Sequence, residues 1–207
     1  MTFKGDAIIS VHDKLLETHR IEPGFRDIGT IHSIYEKTNL QFTGRPIYQN
    51  PTSKAAVMFE GIIRLHPFTD GNKRTALAVI QEFLIENNLI FVVPISAVRF
   101  AVQIAKTNVL ESEKIEKLVF NIEKWISYRT VQVSDTDRIV ELVEQDIKLL
   151  SIIKQLSASN RKRDFRNKVV DYWLAKDIFP DNNIKFDDLR KLHMERLDRI
   201  LNFLKVT

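Results

Sequence analysis

The chain of 207 residues contains no cysteine, so no disulfide framework holds it, and its cysteine usage gives no hint of export. The N-terminus, Met1-Thr2-Phe3-Lys4-Gly5-Asp6, lacks a secretory apolar segment. The longest apolar run, Leu89 to Val93, is stopped by Pro94 and falls far short of a membrane span. Neither charge sign dominates: 31 basic against 27 acidic residues leave a net charge of +4. That excess is mild, not the basic stripe of a nucleic-acid binder, so nucleic acid is not expected as a partner. Internal repeats and low-complexity tracts are absent as well. These absences lead to the expectation of a soluble, cytoplasmic protein with no membrane partner. With 44% hydrophobic residues the chain can bury one good core and a small second unit.

What is present is concentrated in one stretch, His66-Pro67-Phe68-Thr69-Asp70-Gly71-Asn72-Lys73-Arg74-Thr75-Ala76-Leu77. Apolar helical patterns run before it, to Ile62-Ile63-Arg64-Leu65, and after it, through Leu77, Ile80 and Leu84. The turn between them is therefore pinned between two packed helices. Gly71 tolerates positive φ, and the N–H groups from Gly71 to Thr75 begin a helix and attract anions. Lys73 and Arg74 add positive charge at the same place, which suits a polyphosphate held at Gly71, Asn72, Lys73 and Arg74. Asp70 is the hard oxygen ligand that Mg²⁺ uses when one carboxylate and substrate phosphates hold it. His66 carries an imidazole, the side chain best suited to take a proton from a hydroxyl at neutral pH. Phe68 is expected to point into the core and anchor the loop.

The pattern His-Pro-Phe-x-Asp-Gly-Asn-Lys-Arg resembles the active-site motif of the Fic/Doc (Fido) superfamily. Most Fic adenylyltransferases carry His-Pro-Phe-x-(Asp/Glu)-Gly-Asn-Gly-Arg-x-x-Arg. Here Lys73 stands at the second Gly and Leu77 at the second Arg, and both departures resemble the death-on-curing (Doc) branch. Gly71 instead matches Fic, where the best-known Doc pattern has Ala. Upstream, His12-Asp13, Gly24-Phe25-Arg26-Asp27-Ile28-Gly29 and Ser33 are similar to the N-terminal signature of Doc-type proteins. The likeness covers roughly residues 6 to 127.

The resemblance implies an all-α fold: a Fic/Doc-type helical bundle with a short flap hairpin or loop before the motif helix. The catalytic unit is expected over residues 1–130. A C-terminal helical extension over 131–207 would serve regulation, dimerisation or target binding. Residues 6–20 have the period of a first helix, with His12 on or beside its buried face. Arg26 and Asp27 read either as part of a target or nucleotide surface, or as a cap with a local ion pair before a helix over 30–37. Residues 41–51 lose the helical period and hold Gly44, Pro46 and Pro51. By resemblance Phe42, Thr43, Gly44, Arg45, Pro46, Ile47 and Tyr48 would be the flap that holds the target backbone as an added strand. Thr52 or Ser53 is expected to cap a helix through Leu65. Further helices are expected over 72–88, from Pro94 to about Lys106, and over 111–125. Two spacings, Thr107 to Glu111 and Ser112 to Glu116, fit the inhibitory (Ser/Thr)-x-x-x-Glu pattern of regulated Fic proteins. Leu77 removes the arginine that such a glutamate would pair with, so a solvated helix face is the better reading. Residues 131–135 read as a linker and cap, followed by a long amphipathic helix over 136–158. Two more helices are expected, one after Arg161, Lys162, Arg163, Arg166 and Lys168, the other over 186–204.

These expectations converge on a Doc-like, toxin-type enzyme that moves the γ-phosphate of ATP, with Mg²⁺, onto a Ser/Thr hydroxyl of a target protein. The Doc branch implies a translation elongation factor of the Tu type as target. Adenylylation, the Fic-type transfer of AMP, is the alternative, and a non-catalytic nucleotide- or partner-binding module is a second. An antitoxin-like partner is expected for regulation, and a homodimer is an open possibility.

Overall fold

The computed structural model describes residues 3–18, 21–94, 97–107 and 111–156. The fold is all-α, with two small strand pairs. The elements are α1 (Gly5–Thr18), α2 (Ile28–Lys37), β1 (Gln41–Phe42), β2 (Arg45–Pro46), α3 (Pro51–Leu65), α4 (Asn72–Glu86), β3 (Leu89–Phe91), α5 (Ala97–Lys106), α6 (Ser112–Tyr128), β4 (Thr130–Gln132) and α7 (Thr136–Leu156).

Helix α3 is the centre of the bundle because nearly every side of it is apolar. Ala55, Ala56, Val57, Met58, Phe59, Ile62 and Ile63 are all fully buried, the pattern of a helix surrounded by others. It packs on α2, α4, α5 and α6, while α1 lies across α2 and α4. One wall of the core is aromatic: Trp125 of α6 meets Phe59, Phe91 and Phe100 at centroid distances of 5.5, 5.2 and 4.4 Å. Helix α3 starts earlier than Thr52 or Ser53. Asn50 caps it, its N–H donating to the Ser53 hydroxyl at 3.2 Å, and Pro51 takes the first turn, where a missing N–H costs nothing. Helix α6 also outruns its expected end at Trp125, because Ile126 still faces the core.

An uninterrupted succession of helices after the motif is not what forms. Leu89–Phe91 is a strand, paired antiparallel with Thr130–Gln132 so that Ile90 faces Val131. The segment read as a linker therefore begins as strand β4. Its end is a cap as expected, since Asp135 accepts the Arg138 N–H at 3.2 Å. Helix α7 then folds back: fully buried Leu142, with Ile139, packs against Val92 and Val131. Buried Arg129 donates to the Val92 carbonyl at 2.9 Å and pairs with Asp146 of α7. The helices expected after 158, with Arg161, Lys162, Arg163, Arg166 and Lys168, lie outside the described residues.

Candidate active site

Helix α3 delivers His66. As the residue that caps the C-terminus of that helix, His66 adopts the left-handed conformation (φ 48, ψ 55), uncommon for any residue other than glycine. Pro67 follows and cannot continue the helix. The imidazole is half-buried and has no hydrogen-bonding partner among the described residues.

The motif loop is then held from two sides. Residues 24–27 lie alongside it. The N–H groups of Arg26 and Asp27 donate to the Pro67 carbonyl at 2.8 and 3.3 Å, the Thr69 N–H donates to the Gly24 carbonyl at 3.0 Å, and Phe25 bridges to Phe68. The upstream stretch thus acts through its backbone. Of the capping alternative, the cap position is borne out at Asp27, while no Arg26–Asp27 ion pair forms among the described residues. Asp27 instead accepts the Thr30 hydroxyl at 2.6 Å, which holds its carboxyl below the usual range. From within, the Asn72 amide closes the loop on itself, accepting the Phe68 N–H at 3.0 Å and donating to the Phe68 carbonyl at 2.9 Å. The Asn72 side chain is buried and used up in this clamp, so only its backbone is left for a phosphate.

Phe68 is fully buried and stacks on the buried His12 of α1, with centroids 3.9 Å apart. His12 Nδ1 lies 2.9 Å from the Thr75 hydroxyl of α4, and burial pushes the His12 pKa below its ordinary value, against the opposing pull of Asp13 and Asp70.

Gly71 sits at φ +77, and a Cβ there would lie 2.9 Å from Ile21. Only glycine fits this turn without strain. The Gly71 N–H donates to its neighbour Asp70 at 2.6 Å, and the Thr75 N–H already makes the first helical bond, to the Gly71 carbonyl at 2.9 Å. Three amides of the five expected, those of Asn72, Lys73 and Arg74, therefore have no acceptor among the described residues at the mouth of α4. Lys73 is half-buried and Arg74 exposed, and neither has an ion-pair partner among the described residues. Three N–H groups with two cations at a helix N-terminus are the features that an anion would seek. Leu77, one turn further on, packs against the core.

Asp70 is exposed; among the described residues it accepts, besides the Gly71 N–H, only a long 3.5 Å contact from the Glu22 N–H. Among the described residues no group of three His, Asp or Glu side chains gathers to hold a metal. A lone carboxylate with free lone pairs still fits a Mg²⁺ ion whose other ligands are phosphate oxygens and water.

The segment before α3 is a hairpin. Gln41 pairs with Pro46 and Phe42 with Arg45, around a Thr43-Gly44 turn with both residues at positive φ (49 and 77). That is the type I′ geometry of two-residue hairpins, and it strains the β-branched Thr43. Phe42 and Ile47 are exposed, while Tyr48 roots the hairpin on the core. Burial pushes the Tyr48 phenol pKa up, with help from Glu116 and Glu60. On α6, Glu111 pairs with Lys114 at 2.7 Å and Glu116 is exposed, as on a solvated face.

Sequence reasoning gave no loop-securing role to Thr75, Thr69 or Gly24, although Gly24 stood in the upstream signature; the threonines are of a type ordinary in turns and helix starts.

The Fic/DOC family model matches residues 2–84, which hold every candidate site residue named above and amount to less than half of the chain. The match supports the Fic/Doc superfamily for this region. No curated protein and no solved structure matches the chain.

Proposed function

We propose that this protein is a protein-modifying enzyme of the Fic/Doc type that transfers the γ-phosphate of ATP to a Ser/Thr hydroxyl of a target protein. The observation that carries the reading is the pairing of two features on one clamped loop. At one end is His66, an unpartnered base; at the other are three open amides flanked by Lys73 and Arg74. Members of the Fic/DOC family are typically ATP-using transferases, and these parts suit that chemistry.

In the proposed step the target hydroxyl oxygen attacks the γ-phosphorus, and His66 takes the hydroxyl proton. The bond from the γ-phosphorus to the bridging oxygen breaks, and ADP leaves with the electron pair. Arg74, Lys73 and the amides of residues 72–74 hold the phosphates and balance their charge. Mg²⁺, held by Asp70, would neutralise charge on the phosphate oxygens. The hairpin, with free strand edges and exposed Phe42 and Ile47, suits a target segment added as a strand. By its likeness to the Doc branch, the target is an elongation factor of the Tu type, and an antitoxin-like protein restrains the enzyme.

Lys73 and Leu77 decide which phosphate is transferred. In a Fic-like pose a second arginine holds the γ-phosphate, and here that position is apolar Leu77, packed on the core. Losing a charge-assisted phosphate contact costs about 1.5–3 kcal/mol, more than tenfold in occupancy of that pose. Lys73 supplies a comparable contact to an inverted nucleotide. With a cell extract and ATP labelled separately at the α- and γ-positions, γ-label should enter protein. Entry of α-label would make the enzyme an adenylyltransferase, and label from neither position would leave a binding module.

A further inference from the structure

We propose that His12 is a positioning residue for the transfer reaction, a rigid wedge beneath the motif loop that sets the distance between the proton-accepting and phosphate-holding halves of the site. The inference rests on the reading above and assigns to the imidazole a role beyond filling the core.

One ring bears on three points of the motif. Its face stacks on Phe68 at 3.9 Å and 18°, two residues after His66. Its Cε1 edge lies 3.5 Å from where a Cβ of Gly71 would be, at the entrance to the open amides. Its Nδ1 meets the Thr75 hydroxyl at 2.9 Å, one residue after Arg74. Between them these contacts fix the start, the turn and the first helical turn of the loop against α1. A shift of the ring therefore moves His66 relative to the phosphate site.

The choice of histidine is informative. The ring is fully buried, and its Nε2 has no hydrogen-bonding partner among the described residues. Buried N–H groups without an acceptor are rarer than lone pairs without a donor. The favoured neutral tautomer therefore carries its proton on Nδ1 and donates it to Thr75, leaving a lone pair at Nε2. An unmet polar atom in an apolar box is a cost that phenylalanine would avoid while keeping the stack. The directional bond to Thr75 is what the imidazole adds, and direction is what positioning requires. The groups needed for chemistry lie elsewhere, so His12 acts through Phe68, Gly71 and Thr75.

The test uses the full chain, with Mg²⁺·ATP binding followed by calorimetry and γ-label entry into extract protein followed at saturating ATP. His12→Phe and Thr75→Val should bind Mg²⁺·ATP within about threefold of wild type. Both should lose about 10- to 100-fold in transfer, the scale set by misplacing reacting groups by about an ångström. The double variant should be no worse than either single one, because both break the same bond. His12→Asn, which returns an N–H near the Nδ1 position, should recover most of the rate. Thr75→Val is nearly isosteric and keeps the test decisive if His12→Phe folds poorly. Wild-type transfer rates in His12→Phe and Thr75→Val would overturn the proposal. So would losses that multiply in the double variant, or losses that track the melting temperature without rescue by asparagine. If wild type itself transfers no label, the enzymatic reading fails and takes this role with it. If wild type transfers label and His66→Ala does not, the reading stands and the His12 variants are judged alone.

Discussion

His66 and His12 show how differently one residue type is used within a few ångströms of the same loop. His66 ends a helix in a left-handed turn and keeps its ring free. Backbone in that region persists where the surroundings enforce it, and the Pro67 carbonyl, held by the amides of residues 26 and 27, does the enforcing. Replacing His66 with alanine should lower transfer by about 10² to 10⁴ and leave ATP affinity nearly unchanged, as measured by labelled transfer and calorimetry. Burial lowers the His12 pKa, and that direction gives a testable sign. The unfolded chain takes up a proton as pH falls through about 6.5, where the folded chain resists it, so stability present above that pH is lost below it. The denaturation midpoint of wild type should therefore fall more between pH 7.5 and 5.5 than that of His12→Phe. Equal pH slopes would show that His12 titrates alike in both states.

At the scale of elements, much of the bundle could be read from the chain. The helices flanking the motif carry strong apolar periods, and Gly71 announced its turn because few other residues reach φ +77. The β3–β4 pair could not be read the same way. Three residues are too short to show a strand period, and each strand's partner lies about forty positions away, so nothing local favours Ile90 meeting Val131. The side-chain role of Asn72 was hidden for a related reason. Its residue type suits both a phosphate contact and an internal clamp, and only the folded loop reveals that the amide faces Phe68. The hairpin carries its own prediction. Phe42 is 73% exposed and supports no core, so Phe42→Ala should change stability by less than about 0.5 kcal/mol. If the ring anchors a target strand, protein labelling should fall roughly fivefold or more, since an anchoring side chain contributes over about 1 kcal/mol. Unchanged labelling would move target binding away from the hairpin.

For the whole molecule, the informative joint is the one where α7 returns to the bundle. Arg129 is nearly fully buried with its charge, and Asp146 is the carboxylate it meets. Removing one partner of a buried pair costs about 3–5 kcal/mol, and partial exposure of Asp146 reduces that to about 2 kcal/mol for Asp146→Asn. Calorimetric melting should show a drop of about 4–8 °C. A chain cut at 133 should lose more than one cut at 156, since it also uncovers Val92 and Val131. Equal melting temperatures for the two truncations would mean that α7 adds nothing to the fold. The central place of Trp125 has a consequence for the order of events during synthesis. All the candidate site residues leave the ribosome before α6 does, yet the face of α3 made by Phe59, met in part by Phe100 of α5, is completed only when Trp125 arrives. A nascent chain that already contains His66 and Arg74 should therefore remain inert until translation has passed residue 126. Released fragments ending at 106 should precipitate or fall to proteases, while those ending at 156 persist. On the proposed reading, the chain would then carry out no transfer while it is being made.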